Sequence, residues 1–255
     1  MNVAIRQPGS TIARLRSMSP SVILEYEKKA VGRLLAFNPE TIQDVPYKIR
    51  MIEGVQTFWE LYEQDKTGSI AGSSWALDYI PTRKSVERWK VLNDDYSRDP
   101  TDFFGIDTVV SLLELPPTAK VLQIACNWGL YLHYLKMERG MSNIIGVDRN
   151  QCAVKYAQEF GIPVIEADVR DFLEKEPQES YDLVISDHFL CSFYLHGSQP
   201  IVDISRKIHR VLKPGGVLIS DIESPDIIAE VLPNRFNFKS YDKYDFVTLS
   251  VFEKD

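Results

Sequence analysis

The chain has 255 residues, of which 44% are hydrophobic and 25% charged, with a formal net charge of −7. That usage excludes a disordered chain and a disulfide-built miniprotein, and the length suits one large domain or one domain with a helical appendage. The acidic balance argues against a nucleic-acid phosphate backbone as partner and suits a small molecule or a protein.

The N-terminus, MNVAIRQPGSTIARLRSMSP, has no apolar core of signal-peptide length, and no run of about 18 apolar residues offers a transmembrane helix, so a cytoplasmic protein without a membrane partner is expected. SPSVILEYEKKAVGRLL then reads as a helix, with Ser19 or Ser21 as cap and an apolar stripe through Ile23, Leu24, Val31, Leu34 and Leu35. Asn38-Pro39 breaks it. The helical period returns in PETIQDVPYKIRMIEGVQTFWELYEQD, and KTGSIAGSS is a small, polar connection. Short helices are predicted near TRKSVERWKVLNDDY and FGIDTVVSLLEL, the second ended by Pro116-Pro117.

After Pro117 the pattern changes. The apolar runs KVLQIA, NIIGVD, PVIEAD, YDLVISD and GGVLISD alternate with the helical stretches YLHYLKMERG, NQCAVKYAQEFG, VRDFLEKEP and IVDISRKIHRVL. Such alternation predicts a parallel sheet with helices on both faces. FNFKSYD and YDFVTLSVFEKD have no helix between them and read as a terminal antiparallel hairpin turning near Lys243. Cys126, Cys152 and Cys191 are an odd set without metal-ligand spacing, so reduced thiols and no metal site are expected.

The first strand leads into Ala125-Cys126-Asn127-Trp128-Gly129 and then a helix. A dinucleotide fingerprint would place glycines at i, i+2 and i+5, where this chain has Ala125, Asn127 and Leu130; the bulk of Leu130 spoils that reading. No GxxxxGK[ST] phosphate loop is present. Read instead at i, i+2 and i+4, the loop gives Ala125, Asn127 and Gly129. Together with NIIGVD, PVIEADVRDF, YDLVISDHF and the LKPGG string before the fifth strand, it resembles the class I S-adenosylmethionine-dependent methyltransferases over about residues 118–255. Gln123, Ala125 and Asn127 depart from that family's acidic residue and first two glycines.

The resemblance implies a seven-stranded Rossmann-like sheet, mostly parallel with an antiparallel last strand. It divides the chain into a helical extension over 1–100, serving as lid, dimer interface or both, and a catalytic domain over 101–255. It also implies S-adenosylmethionine as cofactor. Ala125, Cys126, Asn127, Trp128 and Gly129 would face its methionine end, Asp148 its ribose, and Asp168 and Val169 its adenine; Arg149 and Ser186 would be further cofactor-binding residues. Pro214 would preset the LKPGG turn, with Gly215 and Gly216 supplying unusual backbone angles.

Each site residue has a structural alternative. Asp148 would be a surface loop residue, Asp168 a cap for the helix that follows, and Trp128 and Cys126 plain packing. At the fourth strand tip, the ordinary imidazole pKa near 6.5 suits His188 as a general base. Asp187 would orient it or bind the cofactor's amine; both could equally be solvated polar residues. Asp187, His188 and His196 lack the spacing of a metal site, and Asp221 has a similar edge position. The aromatics Phe58, Trp59, Tyr62, Trp75, Tyr79, Trp89 and Tyr96 would form a lid over a water-excluding site, or simply the extension's own core.

Three function classes follow. The first is a methyltransferase acting on a small-molecule oxygen or nitrogen, with a homodimer as its assembly. The second is a protein of the same fold without transferase activity, in a binding or scaffold role or with the cofactor put to another use. The third is a nicotinamide oxidoreductase, disfavoured by the glycine pattern and the closing hairpin.

Overall fold

A computed structural model describes residues 10–36, 104–126, 129–149, 151–159, 161–187, 189–190, 198–221, 225–239 and 248–255. The sequence-stretches around Phe58 to Tyr96, together with Asn127, Trp128, His188, Cys191, His196 and Lys243, lie outside the described residues.

Helices α1 (Ser10–Ser17), α2 (Pro20–Ala36) and α3 (Phe104–Leu113) precede the sheet. Strand and helix then alternate through β1 (Val121–Ile124), α4 (Leu130–Arg139), β2 (Ile144–Asp148), α5 (Gln151–Glu159), β3 (Val164–Glu166), α6 (Val169–Lys175), β4 (Tyr181–Ser186), α7 (Ser198–Val211) and β5 (Leu212–Ser220). A short α8 (Pro225–Ala229), β6 (Asn234–Lys239) and β7 (Thr248–Glu253) follow.

The seven strands run in the order β3-β2-β1-β4-β5-β7-β6. The first five are parallel, and β7 lies antiparallel between β5 and β6. This is the doubly wound sheet with an antiparallel close that the alternating apolar runs predict. Helix α8 has no counterpart in the sequence reading; five residues are too few to show a helical period.

Two apolar layers sandwich the sheet. On one face Val121, Leu183, Ile185, Val217 and Ile219 pack with Val109 and Leu113 of α3 and with Tyr131 and Leu135 of α4. On the other, Leu122, Ile124, Val184 and Leu218 meet Leu173 of α6 and Ile204 and Ile208 of α7. Successive strand side chains point to opposite faces, so an unbroken apolar run such as Leu183-Val184-Ile185 feeds both layers.

The N-terminal helices share the first layer through Ile12, Leu15 and Ile23. Glu253 at the end of β7 caps α1: its Oε1 accepts from Thr11 N at 3.2 Å and its Oε2 from Ile12 N at 3.0 Å. Ser19 is the cap of α2, its Oγ accepting from Val22 N at 3.4 Å, with Pro20 in the first helical position, where a missing N–H costs nothing. Among the described side chains of α2, Ile23, Glu27 and Ala30 are buried and Leu24 is half-buried; the side chains of Val31, Leu34 and Leu35 lie outside the described ones. A hydropathy stripe passes over a buried glutamate because it weighs residue type, not partners.

The LKPGG string is also corrected in part. Gly215 has φ 72, as a glycine turn requires. Gly216 does not have a positive φ; it is needed for space, since a Cβ there would lie 2.8 Å from the Lys213 carbonyl oxygen and 3.0 Å from that of Tyr181. The string forms an irregularity within β5, whose pairing jumps from Tyr181–Leu212 to Leu183–Val217.

Candidate functional site

In an open parallel sheet, ligands bind beyond the carboxyl ends of the strands where the strand order reverses. Here that point lies between β1 and β4, which run side by side with helices leaving to opposite faces. The last row paired across β2, β1, β4 and β5 is Val147, Ile124, Ser186 and Ser220. One residue further along each strand stand Asp148, Ala125, Asp187 and Asp221. The three aspartates are half-buried, so the register alone gathers three carboxylates and the start of the β1 loop on one rim.

The loop leaves β1 with Ala125 at φ 50 and reaches α4 with Gly129 at φ 68. A left-handed backbone costs a residue with a Cβ about 1–2 kcal/mol, so Ala125 holds a glycine-type conformation under strain. At Gly129 no other residue fits: a Cβ would stand 2.9 Å from Ile162 Cγ2 and 3.1 Å from Val164 Cγ2. Between them, Cys126 N donates to Val147 O at 3.2 Å and Gly129 N to Cys126 O at 2.9 Å, which ties the loop to β2 and closes it as a turn. Gly129 caps α4 without any side-chain hydrogen bond, so no cap side chain covers the amides of the first turn, a setting that receives anionic groups.

The remaining sequence-predicted residues divide by place. Cys126 is a buried thiol packed toward Gly146, and burial, with the charge of Asp148, pushes it up well above the usual thiol range. It is built for packing rather than nucleophilic attack. Asp168 caps α6, accepting from Arg170 N at 2.8 Å, and pairs with the Arg170 guanidinium at 3.0 Å. Those hydrogen bonds hold its carboxyl below the ordinary range, and the nearby charge of Arg149 acts in the same direction. Val169 is a buried member of the second layer. Asp187 sits on the rim. His133 lies in α4 and His209 in α7, and burial lowers both imidazoles.

The sequence reading singled out Ser186 and Gln123 but missed one feature that they share with Ser220. The Oγ atoms of Ser186 and Ser220, register partners at the rim, are buried without a hydrogen-bond partner, as is the Oε1 of Gln123 on β1. Such orphans are rare in folded proteins and concentrate here within the strands that end at one rim. No local pattern marks them, because the three serine and glutamine positions become neighbours only through strand register.

A cationic adenosyl sulfonium fits this set. Asp148 at the tip of β2 suits a vicinal ribose diol, since an ionised carboxylate accepts two hydrogen bonds. The amides at the start of α4 suit an amino-acid carboxylate, and the three rim carboxylates suit a positive charge. Among the described residues no group of three or more His, Cys, Asp or Glu side chains is placed to hold a metal ion, and no helix is long and apolar enough to cross a membrane.

Residues 122–220, from β1 to the end of β5, match the family described as "Methyltransferase domain". The chain is similar to "Putative methyltransferase YqeM" of Bacillus subtilis (strain 168), at 26% identity over 125 residues, 47% of this chain and 49% of that one. It thus spans about half the length of the curated relative it matches. Among solved structures, the PH0226 protein of Pyrococcus horikoshii OT3 is similar over 66% of this chain and 99% of its own, with a TM-score of 0.50 and 16% identity, a likeness of fold. A SAM dependent methyltransferase from Archaeoglobus fulgidus overlaps 58% of this chain and 64% of that one, at 18% identity and a TM-score of 0.41.

Proposed function

We propose that this chain, whose residues 122–220 match a methyltransferase domain, is a class I S-adenosylmethionine-dependent methyltransferase that transfers a methyl group to an oxygen or nitrogen of a small molecule. The observation that carries this is the rim itself, where a doubly left-handed β1 loop stands beside Asp148 at the reversal of strand order. When bound, the cofactor supplies an electrophilic methyl carbon on a sulfonium sulfur. Asp148 grips the ribose hydroxyls, with Arg149 beside it, and Asp168 and the Val169 amide face the adenine. Ala125, Cys126, Asn127, Trp128 and Gly129 pass their backbone along the methionine end, and Ser186 lines the floor.

The acceptor enters over the tips of β4 and β5, near Asp187 and Asp221. His188, next to Asp187 in sequence, takes the acceptor's proton. Catalysis of such a displacement rests mostly on alignment and the exclusion of water. We read residues 1–100 as an extension that contributes a lid, a dimer interface or both, the assembly as a homodimer and the location as cytoplasmic, without nucleic-acid or membrane partners.

A second reading, the same fold with no methyl transfer, is favoured by one observation: the buried Oε1 of Gln123 has no hydrogen-bond partner, where the family has a carboxylate. The experiment that decides first is a calorimetric titration of the full chain and of Asp148→Ala with S-adenosylhomocysteine. Binding that is lost in the variant supports the cofactor site and opens an acceptor screen. A folded wild type that binds none overturns the transferase reading.

A further inference from the structure

Asp107 of α3 is fully buried, yet its carboxylate gathers four donors from two other helices. Oδ2 accepts from Arg33 Nη2 of α2 at 2.7 Å and from the Tyr134 hydroxyl at 3.0 Å. Oδ1 accepts from Arg139 Nη1 at 3.3 Å and from the Tyr131 hydroxyl at 3.4 Å. The Oγ of Ser111 accepts from the same two guanidiniums, at 2.8 Å from Arg33 and 2.7 Å from Arg139, and donates to the Asp107 carbonyl at 2.6 Å. The rings of Tyr131 and Tyr134 stack with centroids 5.7 Å apart.

The two ends of this node matter. Arg33 lies in the last turn of α2. Tyr131 lies in the first turn of α4, two residues after the Gly129 cap that ends the β1 loop. A satisfied ionic node in an apolar layer has few alternative geometries, because moving any member strands a buried charge or hydroxyl. Position is therefore passed from one helix to the next.

We propose that Asp107 is a positioning residue for the cofactor loop, transmitting the docking of α2 through Arg33 and Tyr131 to the first turn of α4, so that the N-terminal segment regulates cofactor affinity. The proposal rests on the cofactor reading given above. Its test uses the full chain as wild type, Arg33→Gln, Tyr131→Phe and the double variant. Glu253→Gln is the control, since it weakens only the cap of α1 and leaves the contacts of α2 with Asp107 and Ser111 in place.

Two readouts are taken: amide hydrogen exchange over residues 125–132 without ligand, and calorimetric affinity for S-adenosylhomocysteine. Both single variants are expected to speed exchange in the loop and to weaken affinity by about 5-fold or more, within the usual range of coupling between sites. The double variant weakens it no further than the worse single one, and the control changes neither readout. Tyr131→Phe removes one hydroxyl and keeps the ring, so it remains informative if Arg33→Gln fails to fold. Loop exchange unchanged in the variants overturns the coupling, whatever the ligand does. Faster loop exchange with unchanged affinity overturns its bearing on the cofactor. Faster exchange in a protein whose wild type binds no S-adenosylhomocysteine overturns the cofactor reading, and with it the regulatory role.

Discussion

The Sγ of Cys126 occupies the space that any side chain at Gly146 would need: a Cβ built there would lie 2.5 Å from it. The same Cβ would lie 2.6 Å from Leu132 Cδ1 and 3.1 Å from Val164 Cγ2. The β1 loop and the first turns of α4 therefore rest directly on the bare backbone of β2. Gly146→Ala is expected to cost about 1–3 kcal/mol, the usual range for overpacking a filled core. Adding Cys126→Ala should return part of that loss, because it removes the nearest of the three obstructions. Urea unfolding of the two single variants and the double variant measures the cycle; a Gly146→Ala protein as stable as wild type would contradict the packing described.

The same contact explains the silence of the thiol. Cys126 is buried and its ionisation is disfavoured, so a thiol reagent should leave it unmodified in the native protein. Modification of Cys126, followed by mass spectrometry of its peptide, should track unfolding by denaturant. Fast labelling under native conditions would show that the loop opens far more readily than its hydrogen bond to β2 suggests.

At the other end of the chain, Glu253 supplies both oxygens to the amides of Thr11 and Ile12. Glu253→Ala leaves two buried donors unpaired, each worth about 1–3 kcal/mol. The variant should unfold at lower denaturant while the β1 loop keeps its native hydrogen exchange. Equal loss of protection at both places would mean that α1 and the rim open as one unit.

Much of this architecture is legible without coordinates. KVLQIA, NIIGVD, PVIEAD, YDLVISD and GGVLISD all become parallel strands because each is a short apolar run closed by turn residues, and strand formation here depends on local pattern plus burial on both faces. Asp148, Asp187 and Asp221 can be placed at strand tips for the same reason. What local pattern does not carry is pairing at long range. Arg33 and Asp107 are 74 positions apart, and Glu253 lies 242 positions from Thr11. A buried acid in the middle of FGIDTVVSLL or at the end of TLSVFE looks like a solvated one until its partners arrive from another helix. Asp168 shows the converse, since its capping role is written in the residues just after it.

The Asp107 node predicts a loss of stability in alkali. Burial first, and then the neighbouring Asp107 charge, push the Tyr134 hydroxyl from 10.0 up to about 12, and the same two causes push the Tyr131 hydroxyl well above its ordinary value. Folded tyrosines thus stay neutral where unfolded ones ionise. The contribution of Tyr134 is fully present below pH 10.0 and is lost as the pH rises through about 12. Stability measured by urea titration should fall along that interval, and Tyr134→Phe should fall less steeply, starting from a lower value because a hydrogen bond to Asp107 is gone. Parallel curves for the two proteins would show that the hydroxyl ionises as readily in the fold as outside it.

Asp168 offers a way to separate a helix cap from a ligand contact at one position. Its Oδ1 accepts from Arg170 N, as a serine hydroxyl could, and serine caps helices about as well as aspartate, whereas alanine costs about 0.5–2 kcal/mol. Asp168→Ser should therefore keep most of the stability of α6 while withdrawing the carboxylate, and Asp168→Ala should lose both. In acid the advantage of wild type over both variants shrinks: the Arg170 hydrogen bonds depress the Asp168 carboxyl, so the stability it adds is present above the ordinary aspartate value of 3.8 and is lost as the pH falls through its lower folded value. S-adenosylhomocysteine titrated into the two variants near neutral pH then isolates the second role. If Asp168 faces the adenine, Asp168→Ser weakens binding as much as Asp168→Ala does, despite the difference in stability. If Asp168→Ser binds as wild type, the residue is a cap alone, and recognition of the adenine passes to the Val169 amide.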